Sequence, residues 1–354
     1  MITQKNNILQ YNLLKDEYDH VINDVMSNGY DSNGPYSAKV ADKIKAITNR
    51  KHVFTTISGT TAIAAGIYSL DLFDKKIAVG SYNYSACVSQ FQAFSKTVYV
   101  DCDKNTLIDV DQIPSDCDAV MLVNYWGNVV DYDKVQQNFK GKIIADCSQS
   151  IGAKYKGKND GYFGDVSTFA FGGQKPIGTR GFGGAIATDD DDVAFKISCV
   201  LDQGRPKEDK NKPVVMIGLR GAPQELQMAL IHVGMKYMDQ WQDRRRDIAE
   251  HIIKGTNELP LRVLKANSNC ESSYYKLVVE IDQRDKFISH MREKGVDAQV
   301  TYIDDFSAVW GKGIAMPMTQ HLAVNTASIP LSPFFTDSEV DTILTAIKTY
   351  FTKG

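Results

Sequence analysis

Short apolar runs and helical spacings alternate along the first 250 residues. The runs Lys76-Ile77-Ala78-Val79, Thr97-Val98-Tyr99-Val100, Ala119-Val120-Met121-Leu122-Val123 and Lys142-Ile143-Ile144-Ala145 are rich in β-branched residues. Each is followed by polar or turn residues. Alternation of such runs with helices predicts an α/β protein with a mostly parallel sheet covered on both faces. A helix is expected over 61–72, capped by Ser58 or Thr60, and another over 193–201 behind an acidic run that suits its positive end. Leu226, Ala229, Leu230, Val233, Tyr237 and Trp241 recur at helical spacing. They predict one long helix over 225–253, with a bend allowed, crossing between domains.

Beyond that helix the texture changes. Tyr274-Tyr275-Lys276-Leu277-Val278-Val279-Glu280-Ile281 alternates like a strand, 284–294 reads as a helix, and 338–351 as a closing helix. The expected division is a large α/β domain over 1–244, with the N-terminal segment packed on it, and a smaller α+β domain over 245–354.

Composition narrows the function classes. With 43% hydrophobic and 23% charged residues, the chain of 354 can bury a sizeable core. Its 40 basic and 43 acidic residues give no reason to expect nucleic acid or an anionic membrane surface as a partner. The N-terminus lacks the apolar core of a secretory signal, and no stretch nears the roughly 20 apolar residues of a membrane span. A cytoplasmic protein with reduced thiols is the expectation. The six cysteines contain no Cys-x-x-Cys and the six histidines no His-x-x-x-His, so no metal site is expected. Asp189 to Asp192 reads as a solvated turn at a helix start. Arg244-Arg245-Arg246, flanked by Asp243 and Asp247, reads as exposed ion pairs, with a substrate diphosphate as the other use.

Four features carry candidate chemistry. Ser58-Gly59-Thr60-Thr61 opens a helix, where unpaired N–H groups and the dipole suit a phosphate. Asp146 follows an apolar strand, at the end where open α/β sheets bind ligands. Lys175 follows an aromatic strand and the pair Gly172-Gly173. Gly181-Phe182-Gly183-Gly184 leads into a further strand and lacks the setting of a dinucleotide loop.

In this order the set resembles the fold-type I pyridoxal-phosphate enzymes, specifically the DegT/DnrJ/EryC1/StrS family of sugar aminotransferases. The resemblance begins at Gly34-Pro35-Tyr36 and runs through Ser58-Gly59-Thr60-Thr61-Ala62 and Asp146-Cys147-Ser148-Gln149-Ser150-Ile151-Gly152-Ala153. It continues through Gly161-Tyr162-Phe163-Gly164-Asp165, Lys175 and Gly181-Phe182-Gly183-Gly184, and ends at Ile329-Pro330-Leu331-Ser332-Pro333.

The resemblance implies roles. Lys175 would hold the cofactor, pyridoxal 5′-phosphate, as a Schiff base and later move the substrate proton. Asp146 would pair with the pyridine nitrogen; a charge pair at about 4 Å is worth about 4 kcal/mol at an effective dielectric near 20. Gln149 would donate to the phenolate oxygen, and Ser58, Gly59 and Thr60 would take the phosphate. Tyr84, with Tyr82 as competitor, would stack on the ring, and Tyr302 would lie near the sugar. The implied activity is transfer of an amino group, with glutamate as donor, to C3 or C4 of a dTDP- or GDP-linked keto-deoxysugar. A homodimer with a shared site is implied.

Three positions depart from the family pattern. Ala170 stands where a phosphate-binding serine is usual, so Ser167, Gln174 or water is expected to replace that bond. Gly218-Leu219-Arg220 stands for an Asn-x-Arg turn, leaving Arg220 to reach the partner's phosphate. Phe182 stands where an acid is common. Ala170 and Gly218, which suggest a weakened phosphate site, keep a non-catalytic sensor on the same fold open. Two further activities stay open on the same scaffold: a sugar dehydratase, which would resemble the family with histidine in place of Lys175, and a keto-cyclitol aminotransferase.

Overall fold

Strands form where the β-branched runs lie. In chain order they are β1 (His52–Thr56), β2 (Lys76–Gly80), β3 (Lys96–Val100), β4 (Ala119–Val123), β5 (Lys142–Asp146), the short β6 (Lys154–Tyr155) and β7 (Lys158–Asn159), β8 (Val166–Ala170) and β9 (Gly184–Thr188). The computed structural model describes residues 1–4, 7–173, 175–178, 180–206, 211, 213–265, 267–311 and 313–352. Among them the main sheet has the order β1-β9-β8-β5-β4-β2-β3. β3, β2, β4, β5 and β8 pair in parallel, while β9 runs antiparallel to β8 and β1. This is the mostly parallel mixed sheet that the pattern predicts.

β4 shows why the central runs are apolar throughout. All five of its residues are buried. Its alternating side chains face opposite sides: Val120 and Leu122 join one core, and Ala119, Met121 and Val123 the other. Helices Lys15–Asn28, Pro35–Thr48 and Glu225–Lys236 supply the first core, and Gly59–Ser69, Ser85–Phe94 and Asp191–Leu201 the second.

A third core, from Ile248 to Ile347, lies over β10 (Arg262–Val263), β12 (Leu277–Glu280), β13 (Gln299–Val300) and β14 (Thr326–Ile329). These form an antiparallel sheet of order β10-β12-β14-β13; β11 (Cys270–Glu271) pairs instead with β6. The expected helix over 225–253 is two helices, Glu225–Lys236 and Met238–Gly255, joined at Tyr237. The Tyr237 ring stacks on Trp241, and its hydroxyl meets Glu17. The expected boundary at 244/245 therefore falls inside the continuous helix Met238–Gly255. The first residues also divide their contacts: Ile2 bridges Val296, and Gln4 bonds Leu331, while helix Lys15–Asn28 packs in the first core. Among the described residues, no helix is long and apolar enough to cross a membrane.

The acidic run 189–192 is tied into the fold. Asp189 accepts from Arg50 at 2.8 Å, Asp190 caps helix Asp191–Leu201, and Asp191 meets Lys51 and His52.

The start of helix Pro35–Thr48 is held by a carboxylate from another helix. Fully buried Glu225 accepts from Gly34 N at 2.9 Å, from Tyr36 N, from Ser37 N at 3.1 Å and from Ser37 Oγ at 2.6 Å. Negative charge at a helix N-terminus is favourable, and here it satisfies N–H groups that lack intrahelical acceptors. Glu225→Ala leaves those buried donors unpaired, and is expected to lower the unfolding free energy by about 2–4 kcal/mol. A urea titration measures this; an unchanged midpoint would contradict the role.

Candidate active site

The carboxyl ends of β4, β5 and β8 and the start of helix Gly59–Ser69 enclose a cavity of about 530 Å³. Ser58, Gly59, Thr60, Tyr84, Asp146, Gln149, Lys175 and Tyr302 all line it. Residues more than 240 positions apart in the chain thus meet as expected, with Arg220 the exception among the candidates.

Asp146 ends β5 and is 3% exposed. Its Oδ1 accepts from Ser148 N at 2.9 Å and from the Thr168 hydroxyl at 3.4 Å, and the Cys87 thiol lies 3.4 Å from Oδ2. These contacts fix the carboxylate's orientation toward the cavity floor. Lys175 lines the same cavity in the turn after β8. Burial lowers its pKa, opposed by the charge of Asp146 and by Cys87. Asp146 in turn pushes the Cys87 thiol further up, beyond the larger effect of burial.

The helix start is built for close approach. Ser58 Oγ accepts from Thr61 N at 3.1 Å, which caps the helix. A Cβ on Gly59 would stand 2.6 Å from the Ala170 Cβ, so the helix start and the end of β8 touch only because residue 59 is glycine. The first N–H groups of a helix have no intrahelical acceptor and suit an anion.

Aromatic side chains form another wall. The Tyr302 ring lies 5.3 Å from Trp126, 5.4 Å from Tyr125, 5.7 Å from Tyr82 and 6.1 Å from Tyr84, centre to centre. Gln149 Nε2 donates to Tyr302 Oη at 2.7 Å. Tyr84 is 49% exposed and lines the cavity, whereas Tyr82 is 1% exposed and donates to Thr301 at 2.8 Å. Of the two tyrosines, Tyr84 therefore presents its ring to the cavity, while Tyr82 is buried.

Other expectations change. Ser167 cannot supply the missing bond: fully buried, it donates to the Gly161 and Phe163 carbonyls at 2.8 and 2.9 Å and accepts from Arg50 at 3.0 Å. Gln174 lies outside the described residues. Arg220 is exposed, its backbone forms an isolated antiparallel β-bridge with that of Asp202, and it does not line the cavity. The asparagine has no room at 218, because a Cβ there would stand 1.9 Å from Gly204 N. The arginine triplet does not form exposed i,i+4 pairs. Arg244 bonds Asp337 and the Phe335 carbonyl, and Arg246 pairs with Asp243 at i,i+3. Arg245 is buried and donates to the Pro176 carbonyl at 2.8 Å, beside Lys175; burial pulls its pKa down to about 10.

Sequence reasoning missed Cys87, Tyr125, Trp126, Tyr275 and Lys276 in the cavity lining. The rule that singled out Asp146 also points to Tyr125-Trp126, which follow β4 directly. Lys276 announces itself only as a charge heading the apolar strand β12.

A lysine and a buried carboxylate beside a helix start, at the carboxyl edge of a mostly parallel sheet, define the site of a fold-type I aminotransferase. The chain matches the model of the DegT/DnrJ/EryC1/StrS aminotransferase family over residues 12–348 and belongs to that family. It is 25% identical over 349 residues to the dTDP-3-amino-3,6-dideoxy-alpha-D-galactopyranose transaminase of Aneurinibacillus thermoaerophilus, covering 94% of this chain and 95% of that one. The structure of S. venezuelae DesV is similar, with a TM-score of 0.93, 21% identity and coverage of 99% of this chain and 98% of that one. So is NtdA from Bacillus subtilis, solved with bound cofactor PMP, with a TM-score of 0.86, 23% identity and coverage of 95% and 82%.

The family depends on pyridoxal 5′-phosphate, and the residues here fit it. The cavity offers an amine, a deep carboxylate and a helix start where the space beside Ala170 is kept open by Gly59. Ala170 lines that cradle without a hydrogen-bonding group. Ala170→Ser is expected to tighten the cofactor by about fivefold, the equivalent of about 1 kcal/mol for one net hydrogen bond. Fluorescence titration with pyridoxal 5′-phosphate measures it; an unchanged or weaker affinity would place the phosphate elsewhere.

Proposed function

We propose that this protein transfers an amino group from glutamate to the C3 or C4 ketone of a nucleotide-linked deoxysugar carried on dTDP or GDP. The observation that carries the reading is the meeting of Lys175 and Asp146 in one cavity, with the helix start at Ser58 as its third member. The similarity to a dTDP-aminosugar transaminase, and to the GDP-perosamine synthase of Escherichia coli O157:H7 at 24% identity, supports the substrate class.

When bound, pyridoxal 5′-phosphate supplies a conjugated electron sink for the carbanion made at the substrate carbon. Asp146 would pair with the ring nitrogen and keep it protonated, which favours that sink. Lys175 would hold the cofactor, and its amine Nζ would take the proton from the amino-bearing carbon of the substrate. The lowered pKa of Lys175 leaves more of its amine neutral and able to accept that proton. Ser58, Gly59 and Thr60 would hold the phosphate, Gln149 would donate to the phenolate oxygen, and Tyr84 would cover the ring. Tyr302 contacts the sugar.

The working unit is a homodimer in this reading, with a smaller domain over 245–354, in a cytoplasmic setting. Phe182 and Ile217 are 75% and 65% exposed, and Arg220 is exposed near Ile217 in sequence; a partner covering these apolar side chains would bring Arg220 toward its phosphate.

Absorbance of the cofactor-loaded protein tests the activity. Wild type is expected to show a visible band that moves to the ultraviolet with glutamate. Lys175→Ala is expected to lose that response, with the half-reaction slowed by about 100-fold or more. A band that never responds to an amino donor, with water lost from a keto-sugar, would turn the reading to a dehydratase. No band at all would favour a non-catalytic sensor.

A further inference from the structure

The mechanism leaves one cavity-lining charge unused. Lys276 stands just before β12, half-buried, and lines the cavity together with Tyr275. Its Nζ lies 5.8 Å from the centre of the Trp126 ring and 5.7 Å from that of Tyr275. Lys175 Nζ lies 6.0 Å from the centre of the same Tyr275 ring. Two amines therefore share one aromatic side chain in one cavity.

The anions do not match them. Asp146 is the one carboxylate among the described residues lining the cavity. Its contacts are at the end of β5, and its charge acts on Lys175. No carboxylate of the described residues lies within 4.0 Å of Lys276 Nζ. Aromatic faces attract an ammonium weakly, and do not replace a counter-ion. The surroundings of Lys276 differ from those of the helix start: a Cβ on Gly59 would meet Ala170 and Phe169, whereas the rings nearest Lys276 Nζ are Trp126 and Tyr275.

We propose that Lys276 is a specificity-determining residue, which receives an anionic group, carboxylate or phosphate, carried by a substrate away from its reacting carbon. The proposal rests on the aminotransferase reading and adds a demand for charge to it. The anion has two possible sources, the distal carboxylate of a dicarboxylic amino donor or an acid group on the sugar acceptor. Burial, with added repulsion from Lys175, pulls the pKa of Lys276 down to about 8. An arriving anion favours the charged lysine and so opposes both effects, which makes the lysine bind an acidic substrate better than a neutral one of the same shape.

Calorimetric titration with unreactive probes tests this. Glutarate stands for the donor and glucose 6-phosphate for the acceptor; glutaramide and glucose are their neutral counterparts. The cofactor-loaded wild type, Lys276→Met and Lys276→Arg are compared. The expected result is that wild type binds at least one anionic probe, and that Lys276→Met weakens that binding by about 10–100-fold. Lys276→Arg should restore it to within about threefold, and binding of the neutral counterparts should not change, which separates recognition from a merely structural effect. Loss of glutarate binding assigns the donor carboxylate, and loss of glucose 6-phosphate binding assigns the acceptor. Equal binding of the anions by wild type and Lys276→Met, or no binding of either by wild type, would overturn the proposal. So would weakened pyridoxal 5′-phosphate binding in Lys276→Met with anion binding intact. Glutarate binding does not require turnover, so an enzyme that fails to transaminate would defeat the activity reading while leaving this one measurable.

Discussion

A carboxylate removed from water must be met by donors, and Asp146 is the group around which this site is arranged. Its position at the end of β5 exists because β4, β5 and β8 run in parallel register, so their carboxyl ends open on the same side. The turn after β5 supplies the Ser148 N–H, β8 supplies the Thr168 hydroxyl, and helix Ser85–Phe94 supplies the Cys87 thiol. Lys175 then lies in a region where burial favours its neutral amine and the nearby carboxylate favours its charged form. The balance of these two effects is what a lysine needs to serve both as a nucleophile and as a proton carrier.

Close packing makes the neighbouring cradle possible. Gly59 lets a helix start rest on the end of β8, and Gly218 lets its turn rest on the backbone at Gly204. The second contact explains a departure from the family pattern in steric terms. Once the chain passes this near Gly204, no side chain fits at 218, so an asparagine could be kept only by moving the backbone. The loss of a polar group at Ala170 has no such steric cause. Ser167 is occupied by Arg50 and two carbonyls, and it offers no compensation.

The C-terminal part of the chain reaches the chemistry through a few polar contacts. Arg245, on the helix that begins at Met238, holds the Pro176 carbonyl next to Lys175. Gln4 bonds the Tyr275 and Leu331 carbonyls and accepts from Leu331 N, so the first residues, the strand lead-in at Tyr275 and the segment after β14 are tied together. Tyr302 and Tyr275 enter the cavity from this part of the molecule. A shift of the helix Met238–Gly255 would therefore be felt at the turn that carries Lys175.

The order of strands and helices, the mostly parallel sheet, a helix cap at Ser58 or Thr60, and the placing of Asp146 and Lys175 after strands were legible in the chain. They depend on local periodicity, capping chemistry and motif order, which act over a few residues. The place of the break, at Tyr237, was not legible, because the helical spacing continues through it. The burial of Arg245 was hidden by two charged neighbours that are paired elsewhere. The sequence could not show that Tyr84 faces the cavity while Tyr82 is buried, nor set Lys276 in the cavity of Lys175 without a carboxylate of its own. Those outcomes were decided by the tertiary structure alone, since burial and the pairing of charges depend on which distant segments the packed sheet brings within a few ångströms of one another.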